Sequence, residues 1–272
     1  MCDVLEVSRS GYYAFRRRGP SRRDVANEKL LEEIRAVHTS SHGIYGSPRI
    51  HRALKRDGIV CGRHRIARLM AKENIMARSR KRFRTTTRPR RGTPAAPDLL
   101  QRQFVADRPH QVWTSDITYL WTMEGWLYLA VVVDLFSRAI VGWATSERID
   151  ATLVCQAFDR AFRRHRPSDD LISHSDRGSQ YTSMKYISLI KAQSFTVHLS
   201  QGVSCYDNAV TESFFHTLKT EWVPFQENRT RAEIHGKLFE YLEVFYNNQR
   251  LHSSLGYHTP MEKLQGIITR AA

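Results

Sequence analysis

Three acids in this chain are spaced so that they could do chemistry together: Asp116, Asp176 and Glu212. Fifty-nine residues separate the first two, and thirty-five, positions 177 to 211, separate the second from the third. Asp116 sits in QVWTSDITYLW, whose β-branched and aromatic residues predict a strand. Asp176 ends the short apolar run LISHSD and is followed at once by the turn residues RGSQ. Glu212 belongs to CYDNAVTESFFHTLKTEW, Cys205 to Trp222. At about 100° per residue this stretch puts Phe214, Phe215, Leu218 and Trp222 on one flank of a helix and Glu212, His216 and Lys219 on another. One side packs and the other presents chemistry. Asp207 and Asn208 are suitable N-caps, so Glu212 falls in the first turns, where the helix dipole favours an anion. Carboxylate oxygens are hard ligands, the type that Mg²⁺ selects. No Ser/His/Asp triad or reactive cysteine pattern competes, and His174, on the same strand face as Asp176, reads as a buried, hydrogen-bonded residue.

The words around these acids narrow the reading. WTSDITYL, HSDRGSQYTS, SCYDNAVTESFFHTLKTE and QRLHSSLGYHTP resemble the catalytic protein, often called OrfB, of the insertion sequence three family of transposases. Asp116, Asp176 and Glu212 look like the DDE triad of the retroviral-integrase superfamily to which that family belongs. Four motifs in the right order carry the resemblance from about residue 20 to 262. It implies cleavage of terminal inverted repeat DNA followed by strand transfer, a transesterification by the freed 3′-OH. It also implies two Mg²⁺ ions, with Mn²⁺ as a substitute, held by the three acids: Asp116 bridging both, Asp176 on one and Glu212 on the other. Double-stranded DNA, both terminal repeats and target, is the implied substrate. The implied protein partners are further copies of the chain on DNA and an upstream-frame protein, separate or fused. Lys219, two helical turns beyond Glu212 on its face, matches a basic position that contacts terminal DNA in the family. Two other readings share the same residues: a catalytically inactive transposase-derived DNA-binding protein, and an RNase H-like nuclease without joining activity.

Charge divides the chain. Residues 1 to 97 hold 24 Lys+Arg against 8 Asp+Glu, a net of +16, whereas residues 98 to 272 hold 18 against 19. A field concentrated in one patterned third points to a polyanion, and nucleic acid is the expected partner. Cys2, Cys61, Cys155 and Cys205 are scattered without a CxxC pair or a signal peptide, which predicts reduced thiols in the cytoplasm. No two of His38, His42, His51 and His64 have finger spacing with Cys61, so a zinc module is not expected. No run of eighteen apolar residues is present to span a membrane.

The expected fold is α/β: an RNase H-like core, a five-stranded mixed sheet with helices, preceded by a small all-α helix-turn-helix-like domain. Residues 1–20 read as a partial helix-turn-helix segment and 21–77 as a helical DNA-binding domain. In the latter, Leu30, Leu31, Ile34 and Val37 mark one helix, and Ser47 with Pro48 starts a second that Gly58 stops. A third, about Arg63 to Glu73, buries Ile66, Leu69 and Met70 and offers Arg63, His64, Arg65 and Arg68 to DNA. Residues 78–103 form a basic Pro/Arg-rich linker, with Arg80, Lys81, Arg82 and Arg84 suited to backbone phosphates. Residues 104–225 are the expected DDE catalytic core, in the order β-β-β-α-β-α-β-α by periodicity. Residues 226–272 are a C-terminal helix, Arg231 to Asn248, and a tail packed on the core. Trp113, Trp121, Trp126 and Trp143 lie in or beside the expected strands and read as core residues.

Overall fold

The computed structural model describes Val4 and residues 6–78, 106–167, 170–193, 197–201, 209–222 and 229–266. The chain divides into two compact units, Met1–Arg78 and Ser79–Ala272.

The first unit is helical. Helix α1 (Arg9–Arg17) is capped by Ser8, whose Oγ accepts from the Gly11 amide, and it buries none of its residues. Helix α2 (Arg22–Ser40) opens on a capping box in which Ser21 and Asp24 satisfy each other's amides. Helices α3 (Ser47–Arg56) and α4 (Arg63–Lys72) close the unit on a core of Leu30, Ile34, Ile50, Leu54, Ile66, Leu69 and Met70. Ser47, the expected cap, is instead the first residue of α3; Gly46 holds the cap position without a side-chain hydrogen bond, and Pro48 contributes its preset φ.

The second unit is built on one sheet. Strands β1 (Val112–Thr122), β2 (Gly125–Asp134) and β3 (Ile140–Ser146) form an antiparallel meander. Strands β4 (Leu171–Ser175) and β5 (Val197–Gln201) add in parallel on the other side of β1, giving the order β3-β2-β1-β4-β5. Five strands with the long first one central is the expected mixed RNase H-like sheet. Helix α5 (Ala151–His165) covers one face: Leu153, Val154, Ala157, Phe158 and Ala161 pack on Trp113, Ala130, Val132, Val141 and Ala144. The approach is close enough that a Cβ on Gly142 would collide with the Ala157 carbonyl and the Ala161 methyl. Helix α6 (Met184–Lys191) adds Tyr186 and Ile190 to this core.

Helix α7 (Ala209–Glu221) meets the opposite face, because Thr114, which it touches, alternates with Trp113 along β1. Phe214, Phe215, Leu218 and Trp222 are buried, as the helical spacing predicts. The helix expected over Arg231 to Asn248 is not uniform. Helix α8 (Arg231–Phe239) passes into a π-helical stretch, Glu240–Tyr246. Four residues of this stretch are buried, Tyr241, Leu242, Phe245 and Tyr246. Just beyond it, Asn247 gives and receives one hydrogen bond with the Ile140 backbone, fastening the C-terminal region to the edge strand β3. The short helix α9 (Pro260–Leu264) ends the described chain. A buried ion pair, Arg250 to both carboxylate oxygens of Glu221, ties the end of α7 to the tail, and Tyr241 donates to the same carboxylate.

Candidate active site

Asp116 and Asp176 are brought together by strand register. Ser115 on β1 stands beside Ser175 on β4, so the next residue of each chain is an aspartate at the same end of the sheet. Asp116 is in the middle of the longest strand, paired across to Val131 of β2, and cannot move without the sheet. Its Oδ1 accepts from the Ile117 amide at 2.7 Å. Asp176 lies just past its strand and is exposed; its Oδ1 accepts from the Gly178 amide at 3.0 Å. A Cβ at Gly178 would lie 3.0 Å from that same oxygen, so a larger residue would press on the carboxylate where the turn wraps it.

Glu212 is carried by α7, on the sheet face that Asp116 shares with Thr114. The hydroxyl of Thr211 donates to Thr114 Oγ1 at 2.8 Å, in a fully buried contact between α7 and β1. The tie is one residue before Glu212 and two before Asp116, so it fixes both acids from behind. Glu212 itself is exposed in the first turn of α7.

The electrostatics bind the four charged groups into one site. Asp116 is pushed up to about 7, first by withdrawal from water and then by the negative charge of Asp176; the Ile117 amide opposes this, Glu212 adds to it and Lys219 opposes it. Partial burial raises Glu212 as well. Burial lowers Lys219, and the charge of Asp116 works against that. The Lys219 ammonium lies 4.7 Å from the centroid of the Tyr119 ring. Asp116 is thus destabilised as an anion by burial and by the charges of Asp176 and Glu212, a condition that a bound cation would relieve.

Among the described residues no three His, Cys, Asp or Glu side chains gather around a single point as ligands of one ion. The donor set fits a hard cation by its chemistry, three carboxylates without sulfur or imidazole.

Two residues near the acids were not singled out from sequence. Tyr181 is fully buried, and its phenol is raised well above its ordinary value by burial and then by the charges of Asp116, Tyr186 and Asp176. It forms part of the floor beneath the two aspartates, packing edge to face on Tyr186. Its place in HSDRGSQYTS, five residues after Asp176, was the available signal. Asp134 is a fully buried acid, but it serves the fold: it accepts from the Ser137 amide and hydroxyl and from the His110 amide, closing the turn after β2. His174 is buried with Nδ1 2.9 Å from Ser200 Oγ on β5, a structural hydrogen bond.

Of the residues expected to meet DNA from the first unit, Arg63, His64 and Arg68 lie exposed on α4. Arg65 turns inward, its Nε donating to Asn27 Oδ1 of α2 at 2.9 Å. Arg80, Lys81, Arg82 and Arg84 lie outside the described residues, as do Asp207 and Asn208. The tryptophans divide against expectation. Trp113 and Trp143 are buried, but Trp121 and Trp126 stand exposed on the β1–β2 hairpin, because α5 does not extend far enough to cover it.

The sheet order, an aspartate within the central strand, a second just past the adjoining strand and a glutamate on α7 point to a protein of the integrase-core class. Comparison agrees: two family models described as integrase core domain match residues 106–205 and 212–263, and one described as HTH-like domain matches 26–83. An insertion element IS600 31 kDa protein of Shigella sonnei is 41% identical over 96% of both chains. Transposase InsF for insertion sequence IS3A of Escherichia coli strain K12 is 38% identical over 96% of this chain and 91% of its own. This chain belongs to the IS3 family of DDE transposases. Among solved structures, a chain of the simian T-cell lymphotropic virus intasome aligns at 15% identity and a TM-score of 0.48, covering 84% of this chain and 76% of that one. That likeness is too distant to bear on the assignment, which rests on the sequence relatives. Among the described residues no helix is long and apolar enough to cross a membrane.

Proposed function

We infer that Asp116, Asp176 and Glu212 are the catalytic carboxylates of a Mg²⁺-dependent reaction that nicks terminal inverted repeat DNA and joins the freed 3′-OH to a second phosphodiester. The observation that carries this reading is the strand register that sets Asp116 beside Asp176, with the charges of Asp176 and Glu212 both acting on Asp116, which is held near 7. Asp116 would be the ligand common to two ions, with Asp176 and Glu212 completing one each. When bound, the cations supply charge relief on the phosphorane and activation of the attacking hydroxyl.

The rest is done by the chain itself. β1 gives Asp116 a fixed position, and the Gly178 amide aims Asp176 from the adjoining strand end. The Thr211–Thr114 tie sets the distance of Glu212 from both. Lys219, on the Glu212 face of α7 and drawn toward Asp116, is placed to hold a phosphate of the strand being cut. Arg63, His64 and Arg68 on α4, with the basic segment that follows, hold DNA mainly through its phosphates. Joining two ends requires more than one copy on the DNA, and the upstream-frame protein is a further partner in this reading.

Metal binding has a readout separate from catalysis. Mg²⁺ or Mn²⁺ should raise the melting temperature of the full chain in a concentration-dependent way, by linkage to the folded state. The shift should vanish in Asp116→Asn. An equal shift in both proteins would place the metal elsewhere and overturn the ligand assignment.

A further inference from the structure

The far half of the β1–β2 hairpin carries Tyr119 at 53% exposure, Trp121 at 65%, Met123 at 66% and Trp126 at 43%. These are not scattered surface residues. Trp121 stands directly across from Trp126, their rings 4.7 Å apart and nearly perpendicular, and Tyr119 meets the same Trp126 ring at 5.0 Å. The row begins where the active site ends, since Tyr119 is the ring beneath Lys219, whose charge interacts with Asp116.

The hairpin is held still. Met123 donates its amide to the Arg229 carbonyl at 3.0 Å, and the Arg231 amide donates to Glu124 Oε2 at 2.6 Å. Thr122 Oγ1 donates across the turn to the Gly125 carbonyl at 2.6 Å. Three exposed rings on a fixed arm leading away from a lysine form a surface of alternating use: aromatic faces for flat apolar groups, an ammonium for phosphate.

Resting on the DNA-cleavage reading above, we propose that this hairpin is a stacking platform for unpaired nucleobases of the DNA strand that leaves the active site past Lys219. Stacking suits this surface because every base has a π face, so a row of rings grips a frayed strand without reading its sequence. Base pairs would have to open first, since stacked duplex bases present no free face. A protein partner fits less well. The four side chains together expose roughly 500 Å², taking aromatic side chains at the usual 150–250 Å² each. A stable interface needs about 800 Å² from each partner.

The test measures binding of a labelled dT12 oligonucleotide and of a 12-base-pair duplex by fluorescence anisotropy, using the full chain without divalent metal. About 0.3 M salt suppresses contacts that are only to phosphate. Trp121→Ala/Trp126→Ala is expected to weaken dT12 binding at least about tenfold while leaving duplex binding unchanged. Trp121→Phe/Trp126→Phe is expected to restore most of the loss, as a ring face suffices. Equal dT12 affinity in parent and alanine variant, no dT12 binding by the parent, or an equal loss on duplex and dT12 would each overturn the platform. So would conversion of a parent oligomer to monomer by the alanine pair in sedimentation, which would make the rings a contact between copies. No cleavage is scored and no metal is present, so failure of the catalytic assignment and failure of the platform show up in different experiments.

Discussion

A carboxylate on a central strand with two other acids in its field is a poor arrangement for a metal-free protein and a good one for holding a cation. Asp116 reaches about 7 because burial and Asp176 act in the same direction. Lys219 is the counterweight within the chain, and its assignment as a phosphate contact can be tested by salt. Lys219→Gln should lower the slope of log affinity against log salt by about 0.9 for terminal DNA, the share of one released counterion, with little change in stability. An unchanged slope in a binding titration would return Lys219 to a role within the protein. At this scale the sequence was most legible for the acids themselves, because their neighbours in WTSDITYL, HSDRGSQYTS and TESFFHTLKTE form recognisable words. It was least legible for Trp121 and Trp126. A strand pattern says which residues share a face but not how far a distant helix extends over it, and α5 covers Trp113 while leaving the hairpin bare.

The elements hold the site through a few buried polar contacts between segments far apart in the chain. Thr211 to Thr114 is the clearest, 2.8 Å across the junction of α7 and β1. Thr211→Val should cost about 1–3 kcal/mol by removing the donor to the buried Thr114 hydroxyl, and the double variant with Thr114→Val less than the sum of the two singles. Urea unfolding of the three proteins checks this, and strict additivity would mean the contact does no tying. Such contacts could not be read from the sequence, since nothing in either segment names its partner 97 positions away. The strands and helices themselves could be read, because alternation and helical spacing are local. The exception was Arg231 to Asn248, where i, i+4 spacing predicts one helix and the chain forms a π-helical stretch. Tyr241, Leu242, Phe245 and Tyr246 are all buried along it, and nothing in the apolar spacing marks the change of helical type.

Across the whole molecule residues 1 to 97 are strongly basic and residues 98 to 272 near neutral, a division that the sequence showed before any fold was known. Stability of the second unit carries its own pH signature. His165, at the end of α5, is pushed down to about 4 by burial and by the positive charges of His110 and Arg164. An unfolded histidine titrates near 6.5, so between about 4 and 6.5 the unfolded chain binds more protons and stability rises with pH. His165→Leu should flatten that rise in denaturant midpoints measured across the window; an undiminished slope would assign it to other groups. Catalysis is the decisive property, and one gel reads it directly. DNA bearing the element's own ends is incubated with Mg²⁺ or Mn²⁺ and the full chain, with and without the upstream-frame protein, comparing the parent with Glu212→Gln. Loss of an outer-shell partner commonly costs about 10–100-fold, so loss of a ligand charge should cost more than about a hundredfold while DNA binding persists. The account predicts metal-dependent nicking followed by a joined product, both absent in the variant. Nicking and joining by Glu212→Gln at the parent's rate would contradict it.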